Sequence, residues 1–134
     1  MDSTILVVDD DSQLRGVIAD VLRDEGYDVQ QASDGHRALA QIEAAAPDLV
    51  LSDVAMPHLT GVELAEQLTH RAEPVPIVLM SASRMAPPVS VDWFLPKPFA
   101  LDDLLALVSG ILGSRPRLGH QPTPALAYNR RNVA

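Results

Sequence analysis

The sequence predicts an α/β fold built on a doubly wound parallel sheet with helices on both faces. Two observations support this prediction: short apolar runs typical of strands buried on both sides, and amphipathic stretches of about a dozen residues between those runs. Strands that alternate with helices require right-handed crossover connections and therefore a parallel sheet. The length of 134 residues fits one compact domain with a short extension.

Five runs rich in apolar and β-branched residues predict the strands. The first, TILVV, is continuous and ends in three acids, a pattern typical of a buried strand that reaches the edge of a sheet. The third, DLVLS, and the fourth, IVLM, are apolar in the same way. The predicted strands cover residues 4–8, 27–32, 48–52, 77–80 and 92–95.

Four stretches with helical spacing of apolar residues predict the helices. The first begins after a cap at Asp11 or Ser12 and ends at Gly26. Its apolar positions are Leu14, Val17, Ile18, Val21 and Leu22. The other predicted helices cover residues 34–46, 60–71 and 100–113.

The segment between the fourth and fifth strands departs from this alternation. Lys97 follows Ser81 by only sixteen positions, and the segment contains the pair Pro87-Pro88. Two prolines in so short a segment are incompatible with a helix of ordinary length. The helix between these strands, the fourth of five in a regular fold of this type, is therefore predicted to be shortened or missing.

Composition excludes several classes of function. The chain has no cysteine, so it has no disulfide, no thiolate metal site and no cysteine nucleophile. Eighteen acidic residues against ten basic ones give a net charge of −8, which repels nucleic-acid phosphates and suits hard cations. The first residues form neither a signal peptide nor a membrane span, and we expect a cytoplasmic protein.

Two segments divide the chain. Residues 1–113 are predicted to form the folded domain, and residues 114–134 a mostly disordered tail with three prolines and four arginines. The folded domain then holds six basic and eighteen acidic residues, a net charge of −12. A tail of this length is too short for a helix-turn-helix, so no DNA-binding domain is expected.

Acidic residues follow two of the predicted strands. Asp9, Asp10 and Asp11 follow the first strand, and Asp53 follows the third. If these strands are neighbours, the carboxylates converge at one edge of the sheet, where a divalent cation would offset their repulsion. Ligands that are all oxygen favour Mg²⁺ or Mn²⁺ over zinc. Helix capping explains Asp11 or Ser12, but it does not explain Asp53, which starts no helix.

Two further polar residues follow buried strands. Lys97, the single lysine of the chain, lies between Pro96 and Pro98 after the fifth strand, where its ammonium group could bind a phosphate oxygen. Ser81 ends the fourth strand, where its hydroxyl could donate to the same anion. Small polar residues often end strands, so Ser81 is weak evidence when taken alone.

Together these residues resemble the receiver domain of two-component response regulators, and the single-domain chemotaxis regulators are the nearest type by length. The motifs are VVDDD, LSDVAMPHLTG, VLMSAS and FLPKPF, and the resemblance covers about residues 3–113. It implies a flavodoxin-like, five-stranded parallel sheet of order 2-1-3-4-5. It also implies a phosphoacceptor that assists its own phosphoryl transfer and hydrolysis, rather than an enzyme acting on a separate substrate.

The resemblance assigns a role to each residue. Asp53 matches the phosphorylated aspartate, which takes its phosphoryl group from a sensor histidine kinase or a histidine phosphotransfer protein. Lys97 matches the phosphate-binding lysine, whose bond to the following proline is commonly cis in the family. Ser81 matches the switch hydroxyl, and Phe94 matches the switch aromatic. The implied metal ligands are Asp9, Asp10, Asp53 and the backbone carbonyl of Ala55.

The main alternative is a phosphorylation-independent interaction module that retains the receiver fold. The complete residue set argues against this alternative, whereas the shortened helix argues for altered signalling. An aspartyl-phosphate hydrolase would need a general acid two residues after the nucleophile, where this chain has Ala55. The downstream protein is unassigned. Because the shortened helix belongs to the usual dimer face, we expect a monomer or a non-standard dimer.

Overall fold

Strands and helices alternate from residue 4 to residue 81, as the sequence predicts. The computed structural model describes residues 3–56, 58–82 and 93–113, together with the backbone of residues 128–129. The strands are β1 (Thr4–Val8), β2 (Asp28–Ala32), β3 (Leu49–Asp53), β4 (Ile77–Ser81), β5 (Trp93–Pro96) and β6 (Tyr128–Asn129). The helices of the described residues are α1 (Ser12–Asp24), α2 (Gly35–Ala44), α3 (Gly61–Thr69) and α4 (Leu101–Leu112).

The sheet has the strand order β2-β1-β3-β4-β5-β6. Its first five strands are mutually parallel, so the predicted order 2-1-3-4-5 is confirmed. In such a sheet the carboxyl ends of all the parallel strands lie at one edge, which is where ligands bind. This edge, which includes the ends of β1, β3, β4 and β5, is called the carboxyl edge below.

Both faces of the sheet are buried at its centre, where β1, β3 and β4 are almost entirely apolar. On β1, Ile5 and Val7 pack in one core cluster with side chains of α1 and α4. Leu6 and Val8 pack in the other cluster with side chains of α2 and α3. The side chains of a strand alternate between its two faces, so a continuous apolar run is what a sheet covered on both sides requires.

Local capping sets where the helices begin and end. The Asp11 carboxylate accepts hydrogen bonds from the amides of Gln13 and Leu14 at the start of α1. Thr60 and Glu63 form a reciprocal capping box at the start of α3. Gly26, with φ of 98°, occupies the left-handed region after α1, where glycine carries no steric penalty.

The structure differs from the predicted element boundaries in small ways. Strands β3 and β4 each extend one residue further than predicted, so they include Asp53 and Ser81. Val17 was predicted on the apolar stripe of α1, but it is 49% exposed. The buried stripe of that helix runs through Ile18, Ala19 and Leu22, and Val17 lies outside it.

Some predictions fall on other parts of the chain. The predicted shortening of the helix between β4 and β5 concerns residues 83–92, which lie outside the described residues. The predicted disordered tail is described only at residues 128–129, which pair antiparallel with β5 as β6. No helix within the described ranges is long and apolar enough to cross a membrane.

Candidate functional site

The turn after β1 carries the first part of the site. Asp9 follows the strand and is 1% exposed, and its amide donates to the carbonyl of Ala32 in β2 at 3.2 Å. Its carboxylate Oδ1 accepts a hydrogen bond from the Asp11 amide at 2.9 Å. Asp11 in turn caps α1, as the sequence predicts. The turn therefore buries one carboxylate, leaves Asp10 exposed at its tip and leads directly into the helix.

Strand β3 brings Asp53 to the same edge. Val8 of β1 lies opposite Ser52 of β3, so the residues that follow each of them are neighbours at the carboxyl edge. Carboxylate oxygens of Asp9, Asp10 and Asp53 lie within 4.8 Å of one another. The convergence predicted for these three residues is thus observed.

Strand β5 positions Lys97, which brings a positive charge to the site. Its last residue is Pro96, and the amide of the next residue, Lys97, donates to the carbonyl of Ser81 at 2.7 Å. The Lys97 ammonium lies 3.4 Å from Oδ2 of Asp9 and 3.5 Å from Oδ1 of Asp53. The Lys97–Pro98 bond is cis.

The environment of Asp53 disfavours its charge. Burial raises the pKa of this carboxyl above its ordinary value of 3.8, and the nearby Asp9 carboxylate raises the pKa further. The charge of Lys97, its hydrogen bond and a backbone hydrogen bond from Ala55 act in the opposite direction. Desolvation outweighs these contacts, so the pKa is raised on balance, and added positive charge at the site would stabilise the carboxylate.

The remaining predicted residues lie around this cluster. Ser81 is the last residue of β4 and is half-buried at the carboxyl edge. Phe94 in β5 is 2% exposed and packs in the core cluster on the α2 and α3 side of the sheet. Ala55 is exposed, and its backbone donates to the Asp53 carboxylate. Ligation of a metal by the Ala55 carbonyl stays a prediction.

Two contacts of the site are not predicted from the sequence. Gly61, the first residue of α3, packs so closely on the carbonyl of Asp53 that a Cβ at this position would overlap it. Arg15 of α1 donates to the carbonyl of Asp9. A glycine at a helix start and an arginine on a half-buried helix face are ordinary, and nothing in their local sequence connects them with the site.

The sequence of this chain matches a known protein family. The family model described as the response regulator receiver domain matches residues 5–109. The chain belongs to this family. A receiver is the component of two-component signalling that works with histidine kinases, and the gathering of Asp9, Asp53 and Lys97 at one edge agrees with the resemblance seen in the sequence.

Individual relatives agree with the family assignment. The receiver is 41% identical over 114 residues to response regulator MprA of Mycolicibacterium vanbaalenii, an alignment that covers 81% of this chain and 49% of that protein. It is 40% identical over 118 residues to MprA of Mycobacterium bovis, covering 84% of this chain and 51% of that protein. The chain thus spans about half the length of the curated relatives it matches.

Solved structures confirm the fold of the receiver. Chemotaxis response regulator CheY4 of Vibrio cholerae matches with a TM-score of 0.77 at 29% identity, covering 83% of this chain and 99% of that chain. The receiver domain of Francisella response regulator 1452 matches with a TM-score of 0.78 at 28% identity, covering 84% of this chain and 98% of that chain. The expected flavodoxin-like arrangement is confirmed.

Proposed function

We propose that Asp53 accepts a phosphoryl group from a phosphohistidine on a sensor histidine kinase or a histidine phosphotransfer protein. The observation that carries this proposal is the position of Asp53, which meets two other carboxylates and Lys97 at the carboxyl edge. In the transfer, an Asp53 oxygen forms a bond to phosphorus while the bond from phosphorus to the donor nitrogen breaks. The donor imidazole keeps that electron pair and takes up a proton.

The protein prepares Asp53 for this attack mainly by position and charge. The carboxylate is partly desolvated, which raises its pKa and makes it more basic than an exposed aspartate. The Lys97 ammonium lies beside the same carboxylate, within reach of oxygens on a phosphoryl group attached there. A lysine so placed offsets the charge of the transferring group and then holds the product.

The acidic residues fit a divalent cation. The donor set consists of carboxylate oxygens that lie within 4.8 Å of one another, which suits Mg²⁺ or Mn²⁺. Asp9, Asp10 and Asp53 would hold the cation, with the carbonyl of Ala55 as a further ligand. When bound, the cation supplies positive charge that neutralises the phosphoryl oxygens.

The signal would pass from the acyl phosphate to Ser81 and Phe94. The new phosphoryl oxygens are acceptors for the Ser81 hydroxyl, and Ser81 is tied to Lys97 through its carbonyl. Phe94 lies opposite Leu79, two residues before Ser81 on the adjacent strand, so movement at the end of β4 alters its packing. The resulting surface would bind an unidentified downstream protein. The chain would act in the cytoplasm as a phosphoprotein, as a monomer or a non-standard dimer.

The phosphoryl group would also leave at this site. Water attack on the acyl phosphate returns Asp53 and inorganic phosphate, and the charges that assist transfer would assist this hydrolysis. The protein would thus limit the lifetime of its own modification without acting on a separate substrate.

The test is direct phosphorylation of the intact chain. The protein is incubated with Mg²⁺ and a small acyl-phosphate donor, and its mass is measured before and after. We expect a gain of one phosphate in the native chain and none in Asp53→Asn. Asp34→Asn is the matched control, because Asp34 caps α2 outside the carboxylate cluster and asparagine caps as well as aspartate.

Two results would contradict the proposal. One is a native chain that gains no phosphate, and the other is an Asp53→Asn variant that gains as much as the native chain. Omitting Mg²⁺ should also abolish the gain, because Lys97 alone would then have to offset the charge of the carboxylates and of the phosphoryl oxygens.

A further inference from the structure

Arg15 of α1 connects this helix with β2 and with the turn at residues 9–11, called the acidic turn below. Its Nη1 donates to the carbonyl oxygen of Asp9 at 2.6 Å, and its Nε donates to Oε1 of Gln31 in β2 at 3.1 Å. The carbonyl of Gln31 in turn accepts from Nε2 of Gln41 in α2 at 3.1 Å. The guanidinium is planar and rigid, so two donors used together fix both its place and its orientation.

The hydrogen bond from Arg15 to the Asp9 carbonyl adds to three other contacts that hold Asp9 in place. The Asp9 amide is bonded to Ala32, and its two carboxylate oxygens face the Asp11 amide and the Lys97 ammonium. Arg15 holds the remaining polar atom, the carbonyl oxygen. All four polar atoms of a nearly fully buried aspartate are thus held by partners from different parts of the fold.

The position of the Asp9 carbonyl also affects Asp10, the next residue, whose side chain is exposed. The carbonyl oxygen lies in the same rigid plane as the Cα atoms of Asp9 and Asp10, because the peptide bond joining them is planar. Rotation of this plane would turn the Asp10 carboxylate relative to that of Asp9. A donor that fixes the oxygen therefore restricts the relative orientation of the two carboxylates.

We propose that Arg15 is a positioning residue that preorganises Asp9 and Asp10 for a divalent cation. The inference rests on the proposed function, because it assumes that these carboxylates hold Mg²⁺. Arg15 does not touch the cation in this account. It acts through the peptide plane, in the way that outer residues orient the ligands of metal sites.

Charge and position make opposite predictions for removal of this side chain. Arg15 is a cation beside the acidic turn, so its Coulombic effect alone opposes Mg²⁺ binding, and its removal would then tighten binding. If Arg15 acts by positioning, its removal weakens binding instead. The sign of the change in Mg²⁺ affinity therefore separates the two roles.

The same helix provides a matched control. Arg23 of α1 also donates to a backbone carbonyl in β2, that of Val29, at 2.9 Å. It contacts β2 at the opposite end from the acidic turn. Arg15→Met and Arg23→Met each remove a positive charge and one hydrogen bond to a backbone carbonyl, but only Arg15→Met frees the Asp9 carbonyl.

The experiment is calorimetric titration of Mg²⁺ into the intact chain, with no phosphoryl donor present. We expect Arg15→Met to weaken Mg²⁺ binding by about tenfold and Arg23→Met to leave it unchanged. Arg15→Lys, which keeps the charge and one donor, should give an intermediate loss and decides the matter if Arg15→Met does not fold. As a second measurement, phosphorylation of Arg15→Met should need more Mg²⁺ to reach the same maximal rate.

The outcomes separate the two proposals. Native protein that binds Mg²⁺, with Arg15→Met binding it equally or more tightly, would overturn the positioning role and leave the proposed function standing. Equal weakening in Arg15→Met and Arg23→Met would also overturn it, because the effect would then be one of general stability. Native protein that binds no Mg²⁺ would overturn both proposals.

Discussion

At the scale of single residues, Lys97 compensates charge in a site that is otherwise acidic. Its ammonium lies between Asp9, which is 1% exposed, and Asp53. Buried carboxylates without a cation are unfavourable, because both desolvation and mutual repulsion oppose their ionisation. The raised pKa of Asp53 indicates that one lysine compensates only in part.

The raised pKa of Asp53 makes the stability of the protein depend on pH. A carboxyl whose pKa is raised by folding stabilises the folded state only where it is protonated, and this contribution is lost as pH rises above the ordinary value of 3.8 and through the folded-state value. We therefore expect Asp53→Asn to be more stable than the native chain near neutral pH. The difference should shrink as pH is lowered toward 3.8.

Chemical denaturation of both proteins across this pH range measures the effect. The free energies of unfolding should diverge with rising pH, with the asparagine variant higher. A native chain that is the more stable of the two at neutral pH would mean that its contact with Lys97 outweighs desolvation.

The second residue-scale prediction concerns Asp10, which is exposed at the tip of the turn. Asp10→Asn should leave the stability of the metal-free protein almost unchanged, since exposed substitutions usually alter it by about 0.5 kcal/mol or less. At roughly ten times its dissociation constant, Mg²⁺ should stabilise the native chain by about 1.4 kcal/mol. Thermal unfolding with and without Mg²⁺ should show that the ion stabilises the variant clearly less than it stabilises the native chain. An equal increment would remove Asp10 from the set of ligands.

At the scale of elements, the contact between β3 and α3 sets the position of Asp53. The amide of Gly61 donates to the carbonyl of Val54 at 3.0 Å, and the start of α3 lies directly against the end of β3. The Thr60 capping box fixes where this helix begins. Because the helix starts at a glycine, its backbone can approach the strand end closely.

Gly61→Ala should therefore be destabilising, although alanine favours helices. Its Cβ would overlap the carbonyl of Asp53 and force the strand end and the helix apart, at a cost of about 1–3 kcal/mol. Gly110→Ala in α4 is the matched control, because a Cβ there meets nothing within 4 Å. That variant should gain about 0.5–1 kcal/mol.

Denaturant unfolding of the two variants separates the steric effect of the added methyl group from the effect of alanine on helix propensity. We also expect Gly61→Ala to phosphorylate more slowly than the native chain, since Asp53 would be displaced, whereas Gly110→Ala should react at the native rate. Stabilisation of both variants would contradict the close contact.

At the scale of the whole molecule, the sheet extends beyond the five strands of the family fold. β6 pairs antiparallel with β5, with Tyr128 opposite Phe94 and Asn129 opposite Trp93. An edge strand presents unpaired amides and carbonyls, and a short strand laid against it satisfies some of them. The carboxyl-terminal segment thus contacts the strand that carries the proposed switch aromatic.

Deletion of residues 128–134 should expose this edge without unfolding the domain, because the two core clusters, among the residues that the structure describes, lie within residues 5–112. Hydrogen exchange should become faster in Trp93 and Phe94, which pair with β6, and remain unchanged in Asp28–Ala32, at the opposite edge of the sheet. The loss of a backbone hydrogen bond corresponds to about 0.5–1.5 kcal/mol of local protection. Unchanged exchange in Trp93 and Phe94 would mean that β6 does not protect the edge.

Much of this protein is determined by local sequence pattern. Continuous apolar runs predict β1, β3 and β4 because both faces of these strands are buried, and Asp11, Thr60 and Gly26 mark helix ends by capping. The acids at the ends of β1 and β3 and the lysine after β5 could be assigned to one edge, since parallel strands end together. Val17 was predicted on the buried stripe of α1 but lies outside it, because helical periodicity indicates the direction of the apolar stripe and not its width.

The tertiary structure alone decided the contacts between distant residues. The distances from Lys97 to Asp9 and Asp53 depend on strand register, which the sequence pattern leaves unspecified. The hydrogen bond from Arg15 and the close approach of Gly61 have no local signature, because an arginine or a glycine looks the same in sequence whether or not a functional residue lies against it. Periodicity reports which side of an element is buried, but only the packed fold determines which atoms meet there.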